Sequence, residues 1–136
     1  MIVKGLDHIG IAVWDIETAL PFLVDVFGGS VIDGPVAILE RDVVVQFVEI
    51  GGTRLELLAP VGEGQALNKF LARRGSGLHH VCIEVDDIHE CASELKARGI
   101  PLGDEEPWMS PHGWALFIHP QAWSGVAIEL RECVSS

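Results

Sequence analysis

The 136-residue chain has no tyrosine, three cysteines, and nine Lys and Arg against twenty Asp and Glu. Each scarcity excludes something. Cys82, Cys91 and Cys133 are an odd number without close spacing, which argues against a disulfide framework and suits a reducing compartment, where such thiols act as small buried apolar residues. The formal charge of −11 disfavours nucleic acid and anionic membrane surfaces, both bound chiefly through positive charge. No apolar run approaches the ~18 residues needed to span a bilayer. The start "MIVKGLDHIG" lacks the apolar core and cleavage site of a signal peptide. The expectation is a cytoplasmic enzyme or binding protein with no membrane or nucleic-acid partner.

What is present is a repeat. "LDHIGIAVWDI" from Leu6 and "LHHVCIEVDDI" from Leu78 agree at Leu6/Leu78, His8/His80, Ile11/Ile83, Val13/Val85, Asp15/Asp87 and Ile16/Ile88. Period-two apolar alternation predicts a strand in each stretch. Asp15 is placed to cap a helix over "IETALPFLVDVFGG", with apolar residues at Ile16, Ala19, Leu20, Leu23 and Phe27, Pro21 near its first turns, and Gly28 and Gly29 as its stop. Three strands follow, "SVIDGPVAILE", "DVVVQFVEI" and "TRLELLAP", the last two joined by a Gly51–Gly52 hairpin.

The second half repeats this order. Strand "HHVCIEV" leads to helix "DDIHECASELKARG", capped by Asp86 or Asp87, then a short segment near "IPLGDEE" and strands "GWALFIHP" and "GVAIELREC". The reading is an α+β chain, one domain over residues 1–136, of two tandem βαβββ modules (about 6–60 and 78–131) with a linker helix at about 63–75. Each half alone exposes an apolar sheet face, so one curved eight-stranded mixed sheet with helices outside is the economical assembly. Exposed edges of such a sheet suit a homodimer.

His8 and His80 lie 72 positions apart, and Glu56 and Glu129, in the closing strands of the two halves, lie 73 apart. In "RLELL" and "AIELR" each glutamate faces away from its apolar neighbours. A carboxylate turned into a sheet interior is costly, and a divalent cation offsets that cost. Two imidazoles and two carboxylates suit Zn, Ni, Co, Mn or Fe(II) without choosing among them. His79 points to the opposite strand face from His80, so only one can be a ligand, and the repeat selects His80. His89 reads as a solvated helix residue.

These features are similar to the vicinal oxygen chelate superfamily, which pairs βαβββ modules around a divalent metal, and within it to the methylmalonyl-CoA epimerases. The resemblance is carried by "LDHIGIAV", "GGTRLELLAP", "LNKFLARRGSGLHHVCIEVDDI", "HGWALFIHP" and "GVAIEL". It implies His8, Glu56, His80 and Glu129 as metal ligands and, in "LERDVVV", Glu40 as a carboxylate ahead of the third strand. Arg41 and Asp42 there, Pro35, and the missing tyrosine of the first helix depart from the family pattern.

The implied activity is metal-dependent epimerisation by 1,1-proton transfer next to a thioester, with Glu129 and Glu40 as the two bases and a methylmalonyl-CoA-like substrate. Trp14, Phe47 or Trp114 could wall an apolar pocket, each being equally a candidate for the core. Lys69, Arg73 and Arg74 on the linker helix, and the loop of Ser110, His112 and Gly113, are candidate substrate contacts or plain surface. A glyoxalase I-type lyase and a non-catalytic small-molecule binder of the same fold are the alternatives.

Overall fold

The computed structural model describes residues 1–133. The chain forms two compact units, residues 8–79 and residues 1–7 with 80 onward.

The first unit holds most of strand β1 (Val3–Ala12), helix α1 (Ile16–Pro21), strands β2 (Ser30–Ile38), β3 (Val43–Ile50) and β4 (Thr53–Pro60), and helix α2 (Ala66–Arg74). Asp15 accepts from the Thr18 N–H and opens α1 as expected. Pro21 closes the α segment, because it brings no N–H to continue the ladder, and the chain widens into a π turn over Phe22–Val26. Gly28 and Gly29 then stop it. A side chain at Gly29 would run into Val48 at 2.8 Å. Ile16, Ala19, Leu20 and Leu23 pack on Val13, Val48, Leu57 and Ala59, which fixes the helix face of this sheet. The Gly51–Gly52 turn has both residues at positive φ, as a two-residue hairpin requires.

The second unit holds strand β5 (Gly77–Val85), helix α3 (Ile88–Ala97), and strands β6 (Trp108–Ser110), β7 (Gly113–Ile118) and β8 (Ala127–Glu132). Asp87, not Asp86, caps α3 by accepting from the His89 and Glu90 N–H groups. Val85, Ile88, Cys91, Ala92, Leu95, Leu116 and Leu130 make its core. The short segment near "IPLGDEE" forms no full strand, and the third strand of this half lies beyond it at Trp108–Ser110. Within that short segment the Asp104 carboxylate takes the Phe117 N–H at 2.8 Å, so a side chain replaces a ladder bond and only an isolated bridge, Leu102 to Ile118, survives.

The hydrogen-bonded order is β2-β3-β4-β1 in the first half of the chain and β5-β8-β7-β6 in the second, each a mixed run of four strands. β1 with β4 and β5 with β8 run parallel, while β2 with β3, β3 with β4, β6 with β7 and β7 with β8 run antiparallel. The expected α+β architecture of two βαβββ modules is therefore present.

Candidate metal centre

In the first unit His8 stands on β1, with Gly10 opposite Glu56 in the parallel β1–β4 register. His8 Nε2 lies 3.7 Å from Glu56 Oε1, and both side chains are buried. Phe47, fully buried and cross-strand from Glu56, meets the His8 ring edge-on with centroids 5.2 Å apart. The Arg54 guanidinium lies 4.5 Å from the Phe47 ring centre and 3.5 Å from Asp33.

The second unit repeats the arrangement. His80 stands on β5, with Cys82 opposite Glu129 in the parallel β5–β8 register. His80 Nε2 lies 3.3 Å from Glu129 Oε1, again with both side chains buried. Phe117, cross-strand from Glu129, meets the His80 ring edge-on at 5.5 Å. Gly10 and Cys82 are 72 apart, as the histidines are, so the one-residue slip between the glutamates lies outside the paired strands. Each glutamate occupies the same place relative to its histidine.

Each unit thus holds a buried carboxylate beside a buried imidazole and an aromatic ring, and a buried carboxylate is a group whose cost a divalent ion can offset. Burial first, and the negative Glu129 next, push the Cys82 thiol far above its ordinary value, so it stays protonated. Glu40, by contrast, is exposed on the tight turn Leu39–Arg41 that enters β3 and is not among the buried polar residues.

The other candidates fall elsewhere. His79 faces away from His80's side of the strand and meets Phe70 of α2 at 4.9 Å. His89 is exposed on α3 but not merely solvated, since its ring sits 4.8 Å from Trp114. That contact puts Trp114 on the helix side with the α3 core, so it walls no pocket beside His80. Trp14 is exposed, and Phe47 alone of the three named aromatics borders a histidine–glutamate pair. Ser110 is buried, donates to the Gly113 carbonyl and accepts from the His112 N–H, which makes the loop a closed turn. Lys69, Arg73 and Arg74 are exposed on α2, Arg74 lying over Phe70. Cys82 and Cys91 are buried as expected, whereas Cys133 is exposed.

Two residues at the site carry no signal in the sequence pattern. Phe117 is the counterpart of Phe47, but unequal loops hide the match. Arg131, buried on β8, donates to Glu129 Oε2 at 3.1 Å. A charged residue near a strand end reads as solvated, and no periodicity marks it otherwise.

Residues 7–117 match the Glyoxalase/Bleomycin resistance protein/Dioxygenase superfamily. The mitochondrial methylmalonyl-CoA epimerase of Bos taurus is 40% identical over 129 residues, covering 93% of this chain and 73% of that protein. An ethylmalonyl-CoA/methylmalonyl-CoA epimerase of Cereibacter sphaeroides is 37% identical over 130 residues, covering 93% of this chain and 96% of that one. A solved methylmalonyl-CoA epimerase in complex with methylmalonyl-CoA and NH4+ superposes with a TM-score of 0.90 at 28% identity, covering 98% of this chain and 96% of that one.

Proposed function

Because this chain belongs to the glyoxalase/bleomycin resistance protein/dioxygenase superfamily and matches epimerases along most of its length, we infer that it is an epimerase, an isomerase acting by 1,1-proton transfer next to an acyl thioester. The observation that carries this reading is the duplicated pair, His8 with Glu56 and His80 with Glu129, each buried and in matching register.

In this reading His8, Glu56, His80 and Glu129 together hold one divalent ion, of which Zn, Co, Ni, Mn and Fe(II) all suit the donors. When bound, such an ion supplies a Lewis acid for the thioester carbonyl. Glu129 serves as one proton carrier and Glu40 as the other, one taking the α-proton and the other returning it to the opposite face. Phe47 and Phe117 pack against the two imidazoles, hold them in plane and keep water from the carboxylates.

The substrate is a small acyl thioester of the methylmalonyl-CoA type. With the chain at −11, its phosphates need local cations, and Lys69 and Arg73 on one face of α2 are the candidates. Among the described residues no helix is long and apolar enough to cross a membrane. A cytoplasmic homodimer completes the proposal.

Elemental analysis of protein purified without added metal, followed by turnover assays, tests the reading. One divalent ion per chain, with interconversion of the methylmalonyl-CoA stereoisomers lost on chelation, is expected. Lactate thioester formation from methylglyoxal and glutathione, without turnover of the malonyl thioester, would move the protein to the lyase class.

A further inference from the structure

The two halves of the repeat keep histidine, glutamate and phenylalanine and differ in what surrounds the glutamate. Glu56 faces Gly10 on β1, and two places further along β4 stands the buried Leu58. In the second module those places hold Cys82, which faces Glu129, and Arg131, which is buried on β8. Both replacements are polar, and both adjoin the Glu129 carboxylate. The Arg131 guanidinium donates to Oε2 at 3.1 Å, while Oε1 lies 3.3 Å from His80 Nε2. One oxygen goes to the imidazole and the other to the guanidinium. A buried guanidinium is costly to keep, and its planar fork holds a partner's orientation better than a lysine ammonium does.

We propose that Arg131 is a positioning residue that makes Glu129 a one-oxygen ligand, presenting Oε1 on the His80 side and holding Oε2 back from the ion, with the second lone pair of Oε2 left to take the α-proton. This deepens the metal-dependent reading above and rests on it. With Oε2 held, Glu129 cannot chelate the ion through both oxygens, which keeps a coordination position for a substrate oxygen. The guanidinium charge also opposes the charge of the ion. Loss of Arg131 therefore has a signature that loss of a packing residue lacks: the ion is bound more tightly while turnover falls.

The test is a divalent-ion titration, read by competition with a chromophoric chelator, alongside kcat and KM for the thioester, in the parent protein, Arg131→Met, Arg131→Lys, Glu129→Gln and the Glu129→Gln/Arg131→Met double variant. Arg131→Met is expected to hold the ion several-fold more tightly and to lose about 10- to 100-fold in kcat, the range for residues that orient a ligand, with Arg131→Lys between it and the parent. In the Glu129→Gln background, Arg131→Met should change ion affinity little further. Unchanged affinity and kcat in Arg131→Met would overturn the proposal, as would weakened ion binding in parallel with lost thermal stability. If Arg131→Met does not fold, Arg131→Lys carries the test: tighter ion binding with lower kcat supports the proposal, and parent values for both overturn it. A parent protein that binds no divalent ion overturns the metal-dependent reading and this inference with it. A parent that binds the ion while the variants fail to show the opposed changes overturns this inference alone.

Discussion

His80 Nε2 lies 3.3 Å from Glu129 Oε1 on the buried face of β5, while the ring of His79, its neighbour in sequence, meets Phe70 of α2. Strand alternation separates two adjacent histidines into different chemistry. His80→Ala should lower divalent-ion affinity severely, and His79→Ala should leave it close to the parent value, both read by isothermal titration. Loss of binding in His79→Ala with retention in His80→Ala would require the ligand set to be rebuilt.

Glu40 and Glu129 differ in setting, one exposed on a turn and the other buried beside an imidazole and a guanidinium. Glu129→Gln should lower ion retention and turnover together. Glu40→Gln should leave ion content unchanged, and any fall in rate would report proton transfer alone, about 10²- to 10⁴-fold for a general base. Elemental analysis beside initial rates separates the two. An unaltered rate in Glu40→Gln makes Glu40 a turn residue and nothing more.

The three cysteines should label unequally. Cys82 and Cys91 are buried, and Cys133 is exposed. Partial burial first, then the nearby Asp7 and Glu84 carboxylates, push the Cys133 thiol up to about 11. The thiolate is the nucleophile, so alkylation of the native protein should reach Cys133 alone and slowly at neutral pH. Its rate should rise about tenfold per pH unit below that pKa, because deprotonation limits it. Intact-mass spectrometry should show the remaining two sites only after denaturation.

Gly113 opens β7 at φ 115°, and a Cβ there would lie 2.7 Å from the Glu132 carbonyl oxygen. Gly113→Ala should cost on the order of 1–3 kcal/mol, the range for forcing a side chain into such backbone. Urea unfolding checks this. Gly125→Ala, where no atom lies within 4 Å of the added carbon, isolates the positive-φ cost from the clash and should cost less.

The duplicated histidines and glutamates were legible because strands with period-two alternation declare which side chains share a face. His8, Glu56, His80 and Glu129 all obeyed that rule. The apparent slip between the glutamates dissolved once strand register replaced residue counting, since Gly10 and Cys82 mark the same place. Phe117 was hidden because the connections that lead from each phenylalanine to its glutamate differ in length. Arg131 was hidden because burial of a charge depends on a partner two residues away that only the folded strand presents. The segment near "IPLGDEE" stays short of a strand because Asp104 substitutes for a ladder bond, a side-chain competition with the backbone that apolar patterning does not encode.

Exchange at carbon reports the proposed chemistry without depending on any single residue. One stereoisomer of methylmalonyl-CoA is incubated in D2O with ion-loaded protein and with protein stripped by a chelator, and the α-position is followed by NMR while the isomers are resolved. The loaded protein should carry solvent deuterium into the α-position as the isomers interconvert, and the stripped protein should do neither until a divalent ion is restored. Interconversion without deuterium entry, or equal exchange in the stripped protein, would contradict a metal-dependent 1,1-proton transfer.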